Sequence, residues 1–170
     1  LTNAQAEALD GLAIDALHML AFVDSAPADQ LRWGLQALAV MEASSQPAAR
    51  QWEGALRNNV GYALHQLGRY GEALAQFELA LTYRERTGSA ESIRVARWMV
   101  AWTLRFLGRS DEALALQLQL EQACEAAGAP DPYVFEELEH LYRARNDTPR
   151  ADAYAVRRLS TSSFSPSSTW

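Results

Sequence analysis

The amino-acid sequence predicts an all-α fold, an α-solenoid of about four stacked antiparallel helical hairpins. One observation is that part of the chain repeats itself at a distance of 40 residues. Another is that apolar residues recur within each copy at the three- and four-residue spacing of a helix. A third is that glycine follows the predicted helices at equivalent places in the two copies. Because one hairpin cannot bury its apolar face alone, repetition of this unit predicts a stack.

The internal repeat covers Val60–Gly88 and Val100–Gly128, which share eleven identities in 29 aligned positions. A period of 20 to 50 residues is the sequence signature of repeat architectures. The identical pairs are Val60/Val100, Leu64/Leu104, Leu67/Leu107, Gly68/Gly108, Arg69/Arg109, Glu72/Glu112, Ala73/Ala113, Leu74/Leu114, Ala75/Ala115, Glu85/Glu125 and Gly88/Gly128.

Each copy is predicted to be two helices joined by a tight turn. In the first copy Val60 and Leu64 define an apolar helix face, and Gly68 ends that helix because glycine adopts a left-handed cap at little cost. A second helix is predicted over 72–86, with Gly88 closing it. The hairpin is therefore the unit that the 40-residue period repeats.

The second copy carries equivalent signals. Gly108 and Gly128 end its two helices, and Ser110-Asp111 is an N-cap signal for the helix between them. The second unit is thus predicted as a hairpin like the first.

A third unit follows without a turn glycine. Asp131-Pro132 begins a helix with an acidic cap and a first-turn proline. Asn146 stands where the turn glycine would be, and Thr148-Pro149 begins the partner helix. A weaker hairpin is predicted upstream over 6–23 and 27–41. We therefore divide the chain into a degenerate N-terminal hairpin (1–45), three repeats (46–159) and a serine-rich C-terminal tail (160–170).

Composition disfavours several classes of function. The net charge of −6 and the pI of about 5.1 disfavour binding to nucleic acid or to an anionic membrane. No apolar run approaches the roughly 20 residues of a membrane span. The single cysteine, Cys124, is expected to be a small apolar helix residue in a reducing compartment, so a cytoplasmic location is expected. All fifteen basic residues are arginine, which together with abundant alanine suggests a bacterial source.

The segment 59–74, followed by Phe77 and Ala80, resembles the tetratricopeptide repeat. In that family a small residue on each helix of the hairpin permits close crossing, and the resemblance assigns these positions to Gly61 and Ala73. The matching positions are Ala101 and Ala113 in the second unit, and Glu139 and Ala151 in the third. The resemblance implies a TPR-like superhelix that binds other proteins.

The sequence departs from the family pattern in three ways. Arg57 and Arg97 stand where the family has a first-helix tryptophan, the terminal proline is missing, and the period is about 40 instead of 34 residues. The longer second helices look like those of kinesin light chains, bacterial transcription activators and peptide-pheromone receptors.

The resemblance also implies where a partner would bind, because the first helix of each hairpin lines the concave surface in this family. The residues beside the core positions form what we call the predicted stripe. Its members are Asn58, Tyr62 and His65 in the first unit, Trp98, Trp102 and Arg105 in the second, and Glu136, His140 and Arg143 in the third.

Some residues of the predicted stripe can also be interpreted as core. Trp98, Trp102 and Phe106 are equally well explained as core between repeats. Upstream, Asp15, Met19 and Phe22 extend the stripe, whereas Arg84, on a second helix, is expected to contribute little to binding. We expect Tyr62 and Trp102 to lie close together.

Catalysis and metal binding find little support. Asp15 with His18 and Glu137 with His140 have the spacing of di-iron ligands, but they fall in the first and fourth hairpins. No phosphate loop or nucleophile motif is present. We expect no enzyme activity, no catalytic or metal site and no cofactor.

The last expectations concern the serine-rich C-terminal tail and the function of the protein. Phe164 and Trp170 could hold the tail in a groove of its own or of a neighbouring molecule, so self-association stays open. The leading hypothesis is a cytoplasmic module that binds a protein or peptide through its concave face. The alternative is the sensory part of a larger signalling or transcription regulator that responds to a peptide or small ligand.

Overall fold

The computed structural model describes the backbone of residues 3–162 and the side chains of residues 9–161. Within this range the chain is helical and contains no strand, which confirms the predicted all-α class. The helices are α1 (Asn3–Val23), α2 (Pro27–Ala43), α3 (Pro47–Arg50), α4 (Glu53–Gln66), α5 (Tyr70–Thr87), α6 (Ala90–Phe106), α7 (Ser110–Ala126), α8 (Pro132–Ala144) and α9 (Thr148–Ser162).

Eight of these helices are the predicted ones, and the four-residue α3 is additional. Helix α1 packs on α2, α4 on α5, and α8 on α9, each pair joined by a short turn. The chain forms two compact units whose boundary lies between Ala96 and Arg97, inside α6. Helix α9 runs through Ser160 into the predicted tail, while Phe164 and Trp170 lie outside the described residues.

The turns between helices confirm the predicted helix ends at four positions. Gly68 and Gly108 both have φ of +74°, Gly128 has +65° and Asn146 has +59°. At the first turn, the amide of Gly68 donates to His65 O and that of Arg69 donates to Leu64 O, both at 2.9 Å. This pair of bonds satisfies carbonyls that the end of α4 leaves without helical partners.

Gly88 ends α5 as predicted, but it does not adopt the left-handed conformation of the other three turn glycines. Its φ of −90° and ψ of 167° are extended. A Cβ atom at this position would lie 2.5 Å from Ser92 Oγ and 2.7 Å from Arg84 O. The glycine therefore provides space for the close approach of α6 to the end of α5.

The predicted N-cap at Ser110 is wrong. Ser110 is the first residue of α7, and the cap residue is Arg109, which makes no side-chain cap bond. Its guanidinium instead donates two hydrogen bonds, of 2.7 and 2.6 Å, to the Glu112 carboxylate. In contrast, Asp131 caps α8 as predicted, because its carboxylate accepts from the Tyr133 amide at 2.9 Å.

Small residues allow close packing in the repeats. A Cβ at Gly61 would lie 2.7 Å from the Phe77 ring, and one at Gly34 would lie 2.7 Å from Val60 Cγ2. Ala73 and Ala151 are fully buried. Glu139 departs from this pattern, and its carboxylate pairs with two arginines, Arg143 and Arg158.

Arg57 shows how the missing tryptophan of the family is replaced. Its side chain is 13% exposed and contacts two carboxylates, Glu53 at 3.0 Å and Glu42 at 3.3 Å. It also donates to Gln76 Oε1 on α5 at 3.3 Å. A polar network therefore joins α4 to its neighbours where an aromatic ring would otherwise pack.

Candidate functional site

Residues of α1, α4, α5, the turn after α5 and the start of α6 line a cleft of about 410 Å³ in the first unit. We call it the unit-1 cleft. Its lining mixes aromatic and small apolar groups with amides, hydroxyls and both signs of charge, as recognition pockets do. The lining residues are His18, Phe22, Gly54, Ala55, Asn58, Asn59, Ala80, Arg84, Ser89, Glu91, Ser92, Val95 and Ala96.

Arg84 reaches this cleft across the backbone of α4. A Cβ atom at Gly54 would lie 2.6 Å from Arg84 Nε and 3.0 Å from its Cζ. The absence of a side chain at Gly54 thus lets the guanidinium lie against the helix. Arg84 was expected to contribute little to binding, but its place in this cleft makes it unsuitable as a neutral control.

His18 is held in the cleft by polar and aromatic contacts. Its Nδ1 lies 3.1 Å from Asn59 Nδ2, and its ring meets Phe22 and Trp52 edge to face at centroid distances of 4.9 and 5.2 Å. Burial lowers the pKa of His18, and the nearby Asp15 carboxylate opposes this shift only in part. Burial therefore favours the neutral form of the His18 imidazole.

The three stripe residues on α4 have different environments. Asn58 is half-buried and lines the unit-1 cleft, and Tyr62 is 42% exposed. His65 differs from the expectation, because it is buried and its ring packs edge to face against Tyr70 at 4.8 Å. It therefore has little surface to offer a partner.

An aromatic row runs along α6 in the second unit. The Trp98 and Trp102 rings stack at 5.5 Å, Trp102 meets Phe106 at 5.7 Å, and Trp98 meets Tyr133 of α8 at 6.2 Å. Trp98 also packs against the buried cluster around Leu138, so the core interpretation applies to it. Phe106 and Tyr133 are 41% and 47% exposed, which leaves part of the row at the surface.

Arg105 is already engaged within the second unit. Its Nε and Nη2 each lie 2.7 Å from a carboxylate oxygen of Glu137, whose side chain is 4% exposed. The stripe prediction missed this pairing. It also removes the Glu137 carboxylate from any metal site with His140.

The remaining stripe residues lie on α8. Glu136 is half-buried and His140 is exposed. Arg143 is exposed and pairs with two carboxylates, Glu139 at 3.1 Å and Asp152 at 3.2 Å. These contacts make Arg143 part of the link between α8 and α9.

The described part of the chain offers neither a metal-binding cluster nor a membrane-spanning helix. Residues 9–161 contain no group of three or more histidine, cysteine, aspartate or glutamate side chains placed to hold a metal. Among the described helices, none has the length and apolar character needed to cross a membrane.

Comparison with known proteins relates the repeat and the fold to others. Residues 52–126 match the model of the tetratricopeptide repeat. The crystal structure of BtubC (BKLC) from P. vanneervenii is similar, with a TM-score of 0.66 and 17% identity over 85% of this chain. The match covers 61% of the BtubC chain, and at this identity it shows the fold alone. No curated protein matches the sequence.

Proposed function

Because residues 52–126 belong to the tetratricopeptide repeat family, we propose that this chain is a non-catalytic cytoplasmic module that binds a protein or peptide. The repeats of this family generally mediate protein–protein interaction. Within the proposal, residues 1–45 are a degenerate hairpin and residues 46–159 hold three repeats. The partner contacts the first helix of each hairpin, which lines the concave surface in this family.

The observation that carries this proposal is the partly exposed aromatic row of Trp98, Trp102, Phe106 and Tyr133. Aromatic residues dominate the binding energy of protein interfaces, and central ones contribute about 2 kcal/mol or more. Trp102 lies between Trp98 and Phe106 in the row and remains half-buried. We therefore assign it the central anchor.

The test is affinity co-purification of a partner from the native cell, followed by binding measurements with Trp102→Ala. We expect the affinity to fall roughly thirtyfold, which corresponds to about 2 kcal/mol. Arg86→Ala is the control, because Arg86 is an exposed residue of α5 outside the cleft.

Melting must be measured on the same proteins. Retained affinity in a folded Trp102→Ala protein would refute the anchor. A large loss of stability would instead assign Trp102 to the core.

The unit-1 cleft favours the second candidate, a sensory part of a larger regulator. Its volume of about 410 Å³ lies within the range of small-ligand sites, about 300–1,000 Å³. A neighbouring DNA-binding or kinase segment in the full gene would support this candidate, and its absence would favour the simple binding module.

A further inference from the structure

We propose that the unit-1 cleft is a carboxylate-binding subsite in which Arg84 pairs with an acidic group of a peptide ligand. The inference deepens the proposed function by naming the chemistry of the ligand. It depends on residues of the first unit, whereas the proposed function depends on the aromatic row of the second.

First, Arg84 has no partner for its guanidinium among the described residues. Its side chain is half-buried in the cleft, yet it makes no hydrogen bond or ion pair with any residue that the structure describes. Arg57 and Arg105 are half-buried as well, but each of them faces a carboxylate. A partly desolvated guanidinium without an acidic partner favours an anion from outside.

The position of Arg84 is the second step. Gly54 leaves the space in which the guanidinium lies, as the 2.6 Å distance from its hypothetical Cβ to Nε shows. A guanidinium pressed against a helix backbone has lost much of its side-chain freedom. Little further entropy is then lost when its planar fork binds a carboxylate.

The neighbouring polar groups are the third step. The side-chain amide of Asn58 makes no hydrogen bond with a described residue, so it is available to donate. Ser89 Oγ accepts from the Ser92 amide at 3.2 Å, which leaves the Ser89 hydroxyl hydrogen to donate. These donors suit an oxygen ligand.

The other residues that line the unit-1 cleft determine which side chain of the ligand can lie beside the carboxylate. Phe22, Ala55 and Val95 offer apolar contact, so the acidic group is expected beside an apolar side chain. Glu91 also lines the cleft and makes no ion pair with Arg84. Its charge opposes the ligand, but it is exposed and therefore screened by solvent.

The carboxylate could be a peptide C-terminus or an acidic side chain, and three short probes distinguish these sources. They are N-acetyl-Leu-Leu with a free C-terminus, amidated N-acetyl-Leu-Glu-Leu, and amidated N-acetyl-Leu-Gln-Leu as the neutral control. Each is titrated into the full chain labelled with ¹⁵N-arginine, and the Nε–Hε signal of Arg84 is followed. We expect one or both acidic probes to shift this signal and the neutral probe to leave it unchanged.

The variants identify the residue. Arg84→Gln should weaken acidic-probe binding at least about tenfold, as loss of a charge-assisted hydrogen bond does. Arg84→Lys should weaken it less, and Glu91→Gln should strengthen it. Arg86→Gln is the matched control, because it removes the same charge from the same helix outside the cleft.

Several results would overturn the subsite. These are equal binding of the neutral probe, no binding of either acidic probe, or equal effects of Arg84→Gln and Arg86→Gln in proteins that melt like the parent. The two proposals can fail separately. If the acidic probes bind but a folded Trp102→Ala protein keeps its affinity for the partner, the subsite is supported and the aromatic anchor is rejected.

Discussion

The guanidinium of Arg105 donates two hydrogen bonds of 2.7 Å to the buried carboxylate of Glu137, and these bonds join α6 to α8 in the second unit. Helical spacing assigned Arg105 to the predicted stripe, but a side chain held by two such hydrogen bonds helps to connect the helices. Its charge offsets a carboxylate that is almost completely removed from water.

Arg105→Ala should therefore destabilise the protein strongly. Breaking a buried ion pair costs about 3–5 kcal/mol, since it leaves the other charge uncompensated. The free energy of unfolding from urea titration is the measurement. The double variant Arg105→Met, Glu137→Leu should be more stable than Arg105→Ala. Arg143→Ala should cost about 1 kcal/mol or less, because Arg143 is exposed and its partner Glu139 keeps a second arginine, Arg158. Similar values for Arg105→Ala and Arg143→Ala would contradict this assignment.

Close packing between α4 and α5 gives the second prediction. Ala73 is fully buried on α5. Ala73→Leu should cost about 1–3 kcal/mol through overpacking. Ala75→Leu, an exposed position on the same helix, should leave the urea midpoint nearly unchanged. Equal midpoints for the two variants would show that the repeat register is wrong.

Most helix ends could be predicted because their causes are local. Gly68, Gly108 and Asn146 each adopt positive φ, and the residue type itself indicates that conformation. Ser110 misled because the helical hydrogen bonding begins one residue earlier: the Ala113 amide donates to Arg109 O at 3.0 Å, so Ser110 is the first helical residue and not the cap. Residue preference indicates a helix start but does not fix it to one position.

The candidate site was harder to predict because it depends on contacts between residues far apart in the sequence. Asn58 followed from helical spacing, but Arg84 enters the cleft only because Gly54, on another helix, leaves it room. A glycine inside an otherwise helical pattern was the available signal, since it often marks a close approach. His65 is buried because it lies at the end of α4 against Tyr70, where the spacing rule no longer separates surface from core.

The lowered pKa of His18 gives a pH-dependent prediction. Because its native pKa lies below the ordinary value of about 6.5, the unfolded chain takes up the proton first as pH falls. The contribution of His18 to stability should thus be complete above pH about 6.5 and disappear as pH falls through the native pKa. His18→Gln should reduce the loss of stability between pH 7 and 5, measured as the difference from the parent. An unchanged pH profile would show that His18 is not desolvated in solution.

The last prediction concerns the attachment of α9 to α7. Tyr154 donates a hydrogen bond of 2.9 Å to the buried Glu121 carboxylate, which also pairs with Arg157. Burial and then the Glu121 carboxylate raise the pKa of Tyr154, which indicates that its neutral, donating form is favoured.

Tyr154→Phe should therefore cost about 1–3 kcal/mol, because a charged acceptor loses one donor while the ring remains stacked on Tyr142 at 5.7 Å. Tyr154→Ala should cost more, about 3–5 kcal/mol, because the stacked ring is lost as well. Hydrogen exchange of the α9 amides should accelerate in both variants and remain unchanged in Val156→Ala, which removes a side chain that is 64% exposed on the same helix. If Tyr154→Phe exchanged like the parent, the hydroxyl would contribute nothing, and Arg157 would be the group that holds Glu121 and with it the end of the chain.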